Sequence, residues 1–297
     1  MASELHVGTM FGEWRVEAYL GTSCLGSTYL VRRFGARNVL RILGPTHAKG
    51  ARVRERFLAL KEVSERVAHA AVIQVHETGE WRGDLFARFE RVEGTTLENA
   101  RNDGPEWSRQ GVPSIGLRRT AMAAERALGW MAEALDCVAS GHEHGVLHRD
   151  LRLETLFVAE SGSVKIGNYG VAQVVDATDE RSAIGTTLGS PAFMAPEQAM
   201  GLTDQLDARA DLFSIGAILY ALVTGGRLHA RKSEQEALVA AATTPVGRVS
   251  ELGHRLPEGV LDLIDKALQW DRRKRYGSAR EMKAAALDVR ATLVGDR

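Results

Sequence analysis

The spacing of hydrophobic residues changes character partway along the chain. Residues 14–43 alternate apolar and polar side chains, with glycines between the runs, and this period of two predicts β-strands. Residues 51–68 instead place apolar side chains three and four positions apart, which predicts an amphipathic helix. The first part of the chain is therefore predicted to be a small sheet with one helix inserted. The predicted strands are 14–20, 27–33, 38–43, 72–77 and 85–89.

Helical periodicity dominates the rest of the chain. Residues 102–116 contain Gly, Pro, Asn and Asp with little period, which predicts a loop or linker. A small β-rich part followed by a larger helical part predicts an α+β, two-lobe fold. We expect an N-lobe at 11–98, an inter-lobe segment at 99–120 and a C-lobe at 121–294. The predicted helices are 117–144, 208–223, 233–242, 259–268 and 279–293.

The composition limits the classes of protein to which the chain can belong. Its 297 residues include 44% apolar side chains, enough to bury a substantial core. The 38 basic and 38 acidic side chains balance, which argues against nucleic-acid binding by bulk electrostatics. Two cysteines, Cys24 and Cys137, cannot form a disulfide framework. The apolar run at 212–223 is too short to span a bilayer, and we expect a cytoplasmic protein.

Three local patterns carry the candidate chemistry. A glycine-containing segment at 20–28 lies between two predicted strands, where glycines let backbone amides approach a phosphate, although a plain hairpin turn explains it equally well. The triplet H-R-D occupies 148–150, after a long predicted helix. The triplet N-Y-G occupies 168–170, and A-P-E follows at 195–197. The order and spacing of these motifs are more specific than any one of them.

Taken in this order, the motifs resemble those of a eukaryotic-type Ser/Thr protein kinase domain, of the kind also common in bacteria. The resemblance covers about residues 11–290 and includes D-L-F-S-I-G at 211–216 and D-R-R-K-R-Y at 271–276. It implies the bilobal protein kinase fold, with a small β-rich N-lobe and a larger helical C-lobe. The structural residues that it implies are His148, Asp211 and the ion-paired Glu197 and Arg275.

The resemblance also identifies where the phosphate-transfer machinery should be. Such a domain needs a Lys on the phosphates, a Glu that holds this Lys, and two metal-binding side chains. Arg41 takes the place of the Lys, and its planar guanidinium differs in shape from a compact ammonium. Leu60 takes the place of the Glu and cannot pair with Arg41. The alternative is a register one turn away, in which Glu55 or Glu65 is the partner.

The two metal positions are also changed. Thr155 stands in the place of the family's Asn, and Asn168 in the place of the Asp of D-F-G. Neutral oxygens are weaker ligands for a hard cation than a carboxylate, so we expect little or no Mg²⁺ or Mn²⁺ binding. Asp150, the expected acceptor of the substrate hydroxyl proton, is present. Arg152 replaces the usual Lys, and Ser190 supplies a hydroxyl that we expect to reach Asp150.

The expected nucleotide pocket departs from the family pattern at several positions. Val39 stands where the family has Ala, Phe157 where it has Leu or Met, and Thr28 where it has Val. Bulkier side chains either fill the pocket or repack around a nucleotide, and both outcomes stay open. ATP is accordingly a candidate ligand. The predicted nucleotide-binding residues are Gly21, Ser23, Gly26, Thr28, Val39, Arg41, Phe89 as gatekeeper, Glu90 and Val92 in the hinge, and Phe157.

The changes at Arg41, Leu60, Thr155 and Asn168 together favour a pseudokinase, meaning a kinase fold that signals by binding. Its role would be that of a scaffold or an allosteric regulator of a protein partner such as an active kinase. We expect no nucleic-acid or membrane partner. The 99–120 segment is predicted to be a surface insertion, or else a docking loop anchored by Trp107.

Two alternatives remain. Asp150 and the surviving glycines favour a divergent active Ser/Thr kinase that transfers the γ-phosphate of ATP to protein Ser or Thr. Another nucleotide transfer on the same fold, such as adenylylation, has no residue in its favour. An active kinase would carry phosphate on its activation loop, where the candidate acceptors are Thr178, Ser182, Thr186 and Thr187.

Overall fold

A strand-rich lobe precedes a larger helical lobe, so the predicted bilobal α+β fold is confirmed. The computed structural model describes residues 5–23, 26–44, 48, 50–102, 117–171, 190–251 and 256–295. The strands are β1 (Met10–Phe11), β2 (Trp14–Ser23), β3 (Gly26–Arg33), β4 (Ala36–Leu43), β5 (Val75–Trp81), β6 (Asp84–Glu90), β7 (Gly94–Thr96), β8 (Leu156–Ala159) and β9 (Val164–Ile166).

Six of these strands form one antiparallel sheet in the order β1-β2-β3-β4-β6-β5. The predicted strand at 72–77 is wrong in its first half, because β5 begins only at Val75. Val72 instead forms a parallel bridge to Ile166 in the second sheet, and it is fully buried in the core of the large lobe. Val72 is therefore apolar because it contacts the large lobe. The sequence alone cannot distinguish such a residue from one that belongs to a strand of the small-lobe sheet.

The predicted helix at 51–68 is divided into two helices, α1 (Ala51–Leu58) and α2 (Leu60–Val67). Ala59 is at once the C-cap of the first helix and the N-cap of the second. The apolar faces of both helices pack against the sheet together with Leu43, Leu85 and Phe89, forming a core on one side of it. A separate core, around Tyr29 and Leu40, lies among β1 to β4.

The helices of the large lobe surround one extended hydrophobic core. Its central helix, α6 (Ala208–Thr224), has Asp207 as its N-cap, whose carboxylate accepts a hydrogen bond from the Arg209 N–H, and Gly225 as its C-cap, with φ 74°. Within the described residues, no helix is long and apolar enough to cross a membrane. The helices after α2 are α3 (Leu97–Asn102), α4 (Leu117–Glu143), α5 (Pro196–Ala199), α6 (Ala208–Thr224), α7 (Glu234–Thr243), α8 (Glu258–Ala267) and α9 (Ala279–Gly295).

A second sheet, in the order β7-β8-β9, positions the candidate site. The loop 144–155 leads from α4 into β8, and the residues that follow β9 include the N-Y-G triplet. Pairing of Leu156 with Ile166 and of Phe157 with Lys165 therefore brings the two motifs side by side. The helices α3 and α5 are absent from the sequence prediction, since six and four residues are too few to show a helical period.

Candidate functional site

The backbone of the H-R-D segment is held by one buried carboxylate. Asp211 in α6 accepts hydrogen bonds from the backbone N–H groups of His148 and Arg149, at 2.9 and 2.8 Å. Its Oδ2 also lies 2.8 Å from His142 Nε2. Burial opposes ionisation of Asp211, but these hydrogen bonds and the nearby imidazoles hold its pKa below the usual range. The carboxylate therefore fixes the loop while remaining charged.

His148 is fully buried and acts as a neutral connector. Its Nε2 lies 2.8 Å from the Gly167 carbonyl and donates to it, while its Nδ1 accepts from the Asp150 N–H at 3.2 Å. One donor and one acceptor on the ring require the neutral tautomer. Burial lowers the pKa of His148, which agrees with that assignment. The ring also meets Tyr169 edge-on at 4.6 Å, so it joins the H-R-D and N-Y-G segments.

A second buried pair fastens α5 to the end of the large lobe. The guanidinium of Arg275 donates two hydrogen bonds to the carboxylate of Glu197, at 2.7 and 2.9 Å. Arg275 also donates to the carbonyls of Gln269, Arg209 and Trp270. A buried bidentate pair of this kind is costly to break from one side. Glu197 and Arg275, which the resemblance implies to be an ion pair, are thus paired and buried.

Asp150 is buried beside two polar partners. Arg152 Nε lies 3.2 Å from Asp150 Oδ1, and the amide of Asn168 donates to the same carboxylate. Burial raises the pKa of Asp150, and Arg152, His148 and Asn168 oppose that rise. An aspartate with these neighbours can still accept a proton, so the geometry retains a base at this position.

Thr155 points into the loop rather than toward a ligand. Its hydroxyl interacts with the carbonyls of Asp150 and Arg152, each at 3.0 Å, and accepts from the Arg152 N–H at 3.1 Å. The side chain is almost completely buried. The hydroxyl is therefore used to shape the catalytic loop.

Arg41 and Asn168 meet directly. Arg41 Nη1 donates to Asn168 Oδ1 at 3.2 Å, and its guanidinium lies 5.2 Å from the centroid of the Phe89 ring. Asn168 adopts a left-handed backbone with φ 69°, which asparagine tolerates better than most residues. The side chain in the place of the phosphate-binding Lys is thus bound to the side chain in the place of the metal-binding Asp.

Leu60 lies at the start of α2 with no exposed surface. It belongs to the apolar core that contains Phe57, Phe89 and Val171. A Cβ on Gly170, which has φ 82°, would lie 3.1 Å from Leu60 Cδ2, so the helix packs closely on the N-Y-G segment. An apolar contact therefore occupies the position where the family places its Lys–Glu ion pair.

The alternative register, with Glu55 or Glu65 as the partner of Arg41, is wrong. Both side chains are solvent-exposed, and Glu65 pairs with Lys61 at 3.8 Å on the helix surface. Their exposure follows from the helical period, since Val53, Phe57 and Leu60 form the inward face.

The residues at the two metal positions do not fit a divalent cation. The Thr155 hydroxyl is turned into the loop, and the Asn168 oxygen accepts from a guanidinium. Within the described part of the chain, no cluster of three or more His, Cys, Asp and Glu side chains is suited to a metal ion. Hard cations select carboxylate-rich oxygen sites, and Asp150, the nearby carboxylate, pairs with Arg152.

The glycine segment includes the paired ends of two antiparallel strands, β2 and β3. The two strands stay paired as far as Ser23 and Gly26, and the hydroxyl oxygens of Thr22 and Ser27 lie 3.2 Å apart between them. A Cβ on Gly21 would meet open space, whereas one on Gly26 would collide with the Ile42 carbonyl oxygen. Gly26 is thus required for contact with β4. The side chain of Ser23 lies outside the described residues.

The residues expected to line the adenine pocket come from both sheets, with Thr28 on β3, Val39 on β4 and Phe157 on β8. Thr28 pairs with Arg41, Val39 pairs with Phe89, and Phe157 on β8 pairs with Lys165. The side chains of Thr28, Val39, Phe157 and the hinge residue Val92 are all partly exposed. Their role in nucleotide binding stays a prediction.

Lys165 is a site residue that the sequence analysis missed. Its Nζ donates to Glu90 Oε1 at 2.6 Å, and the other carboxylate oxygen of Glu90 accepts from the Gln74 N–H. The pair fastens β9 to the end of β6, next to the hinge. One signal was available, because Lys165 is one of only seven lysines in a chain with 31 arginines.

A chain of ion pairs extends from the catalytic loop to α3. Arg152 also lies 3.7 Å from Glu154, and Arg227 lies 3.5 Å from Glu154 and 3.1 Å from Glu98. Arg101 pairs with Glu98 at 2.9 Å in turn. These residues come from three separate segments, so spacing along the sequence gave no sign of the network.

Ser190 and Asp150 line the same small cavity, together with Phe193 and Gln198. No hydrogen bond joins Ser190 to Asp150 among the residues that the structure describes, so the expected bridge is not formed. Other predicted features lie outside the described residues. They are Cys24, Trp107 with most of the 99–120 segment, and the acceptors Thr178, Ser182, Thr186 and Thr187.

A family model described as the protein kinase domain matches residues 24–286. Among curated relatives, the serine/threonine-protein kinase pkn2 of Myxococcus xanthus is 29% identical over 294 residues, covering 95% of this chain and 33% of that protein. PknJ of Mycobacterium tuberculosis is 28% identical, covering 96% of this chain and 47% of that protein. The chain therefore spans between a third and a half of the length of these relatives.

Solved structures show the same architecture. A crystal structure of the Mycobacterium tuberculosis PknI kinase domain matches with a TM-score of 0.67 at 21% identity, covering 96% of this chain and 99% of that one. A second structure of the same domain matches with a TM-score of 0.69 at 22% identity, covering 97% of this chain and 99% of that one. At such low identity, these matches support the fold alone.

Proposed function

This chain belongs to the protein kinase domain family, and from that premise we propose that it is a pseudokinase, a kinase-fold protein that signals by binding rather than by phosphate transfer. It would act as a scaffold or allosteric regulator of a protein partner. The resemblance on which the sequence analysis relied is confirmed by the family match. The loss of activity, the protein partner and a cytoplasmic location are parts of the proposal.

One observation carries the proposal: the hydrogen bond from Arg41 to Asn168. In an active kinase, these two positions hold a lysine on the nucleotide phosphates and a carboxylate on the metal. Here a guanidinium donates instead to the oxygen of a neutral amide. Leu60, buried against Gly170, leaves no carboxylate at the position that normally orients the lysine.

Magnitudes support the same conclusion. Removing one preorganised electrostatic group costs about 2.7–4 kcal/mol of transition-state stabilisation. Four altered positions would together cost roughly 6–10 kcal/mol, allowing for non-additivity. That corresponds to a loss on the order of 10⁴–10⁷ in rate. Since kinases turn over about 1–100 times per second, little useful transfer would remain.

An active Ser/Thr kinase is the second candidate, and the comparisons support it at least as well. The relatives named above are called serine/threonine-protein kinases. Asp150 is present, buried and hydrogen-bonded by Asn168, so a base for the substrate hydroxyl survives. The family generally uses ATP with Mg²⁺ or Mn²⁺, and that use belongs to this second candidate.

The deciding experiment combines nucleotide binding with phosphate transfer. We would measure the melting temperature with ATP alone and with ATP plus Mg²⁺ or Mn²⁺, because a ligand at 100 times its Kd adds about 2.7 kcal/mol of stability. We would then incubate the protein with γ-labelled ATP and a general substrate protein, using Asp150→Asn as the control. A pseudokinase gives no label above that control.

Metal-dependent transfer that disappears in Asp150→Asn would contradict the pseudokinase proposal and establish the second candidate. A shift with ATP alone, without label, would support a nucleotide-stabilised scaffold. No shift and no label would mean that the pocket is filled, which also agrees with a role in binding.

A further inference from the structure

Three arginines lie directly opposite one another across the sheet of the small lobe. Arg15 on β2 pairs with Arg32 on β3, which pairs with Arg37 on β4. Opposed residues on neighbouring antiparallel strands share a face, with Cβ atoms about 4.5–5.5 Å apart, and like charges so placed are destabilising. The row of three arginines therefore does not contribute to the stability of the fold.

A single carboxylate, that of Glu17, pairs with two of these three arginines. Glu17 Oε2 lies 2.8 Å from Arg37 Nε, and its Oε1 lies 3.6 Å from Arg32 Nη1. Glu17 sits at an irregularity of pairing between Val16 and Ala18, a bulge of the kind that redirects a side chain. No other carboxylate among the described residues pairs with the three arginines, so the row keeps an excess of two positive charges.

The same arginines line a groove that we call the arginine groove, defined by Arg15, Arg32 and Arg37 with the apolar residues Val7, Leu30 and Phe34. The groove is open to solvent and has a volume of about 740 Å³. Phe34 is 96% exposed and Val7 is 69% exposed. Phe34 is also held in a left-handed conformation, with φ 47°, in the turn between β3 and β4. A basic row thus adjoins an unburied aromatic ring.

We propose that the arginine groove binds an acidic, extended peptide segment of a partner protein. Carboxylates of the peptide would pair with the three guanidiniums, which suit carboxylates geometrically. An apolar side chain of the peptide would cover Phe34 and Val7. A small inorganic anion has no apolar group that could make this contact. The concave shape fits a peptide better than a flat bilayer. This inference goes beyond the proposed function, because it holds equally for an active kinase.

The experiment uses a short fluorescein-labelled peptide of glutamates around one central leucine. A second peptide carries glutamine at every glutamate position. Binding to the full chain is followed by fluorescence anisotropy at low and high salt. We expect the acidic peptide alone to bind, and its affinity to fall as salt screens the exposed charges.

Matched variants test the assignment. The triple variant R15Q/R32Q/R37Q should weaken binding by about 3- to 150-fold, since each of the three exposed pairs contributes about 0.2–1 kcal/mol. The control R54Q/R273Q/R280Q removes the same charge elsewhere and should bind normally. Glu17→Gln should tighten binding by about two- to fivefold, because it removes the competing carboxylate. A misfolded protein cannot produce that gain.

Several outcomes would overturn the proposal. One is equal binding by the two triple variants, and another is equal binding of the glutamine peptide. Tighter binding of phosphatidylserine vesicles or duplex DNA, lost in the same triple variant, would assign the groove to a different ligand. Self-association lost in that variant would make the groove an interface between copies. None of these results depends on whether the cleft transfers phosphate.

Discussion

Arg41 Nη1 donates a hydrogen bond to Asn168 Oδ1 at 3.2 Å, which joins a strand of the small lobe to the segment after β9. The two residues are 127 positions apart, and each stands where an active kinase has a group for the nucleotide. Their contact replaces ligand-directed charges with an internal hydrogen bond. Substituting both residues by those of the family would remove this hydrogen bond.

Restoring the family residues should restore nucleotide chemistry. In the variant R41K/L60E/T155N/N168D, a carboxylate is available at both the helix and the metal position, so we expect a metal-dependent rise in melting temperature with ATP. Labelled phosphate transfer should appear in this variant and vanish when Asp150→Asn is added. Transfer by the unaltered chain as fast as by the restored variant would contradict the expectation.

Truncating Leu60 should destabilise the small lobe. Leu60→Ala removes a fully buried side chain that packs on Gly170, and such changes cost about 2–5 kcal/mol. Leu60→Met keeps the volume and should cost less than about 1.5 kcal/mol. Urea unfolding measures both, with the partly exposed Leu58→Ala as a control expected to change stability by about 0.5 kcal/mol or less. Similar losses at positions 58 and 60 would argue against the packing role.

The two glycines of the β2–β3 hairpin should respond differently to the same substitution. Both have positive φ, 133° at Gly21 and 131° at Gly26, so alanine is strained at either position. At Gly26 the new Cβ would also collide with the Ile42 carbonyl and lie 2.6 Å from Gly44 N. We expect Gly26→Ala to lower the melting temperature clearly more than Gly21→Ala. Equal effects in a thermal melt would refute this difference.

Arg275 and Glu197 should not be equivalent in their effect on stability. Glu197→Gln removes one charge of a buried pair and should cost about 3–5 kcal/mol. Arg275→Met should cost more, because the guanidinium also donates to three backbone carbonyls, which would be left buried without their donor. Chemical unfolding of both variants tests the order. A smaller loss for Arg275→Met would show that the carbonyl contacts contribute nothing.

Stability should fall as the pH drops below about 6.5. Burial lowers the pKa of His148 in the folded chain, so below that pH the unfolded chain binds a proton that the folded chain does not. The slope from one such histidine reaches about 1.4 kcal/mol per pH unit. His76 and His229 also have lowered pKa values and act in the same direction.

His148→Gln keeps an amide for hydrogen bonding but removes the titrating ring. It should therefore reduce the slope of unfolding free energy against pH between about pH 6.5 and 5. Denaturant unfolding at a series of pH values measures that slope independently of any overall loss of stability. An unchanged slope would mean that His148 does not stay neutral in the folded protein.

Much of the fold was predictable because its signals are local. The strands β2, β3, β4 and β6 and the long helices each carry a full period of apolar residues, and the structure extends or trims most of them by a few residues. The break at Ala59 was not predictable, since alanine is a strong helix former and the apolar period continues through it. The first half of the predicted strand at 72–77 was wrong because Val72 pairs with the other lobe.

The sequence by itself determined the family, the two-lobe order and the identity of the altered site residues, because these depend on motif spacing along one chain. Only the tertiary structure decided what the altered residues do. It turned the Thr155 hydroxyl into the loop, joined Arg41 to Asn168, and aligned Arg15, Arg32 and Arg37 in one row. These relationships depend on strand register and on contacts between the lobes. Both bring together residues that are far apart in the sequence, so no local periodicity of the sequence reveals them.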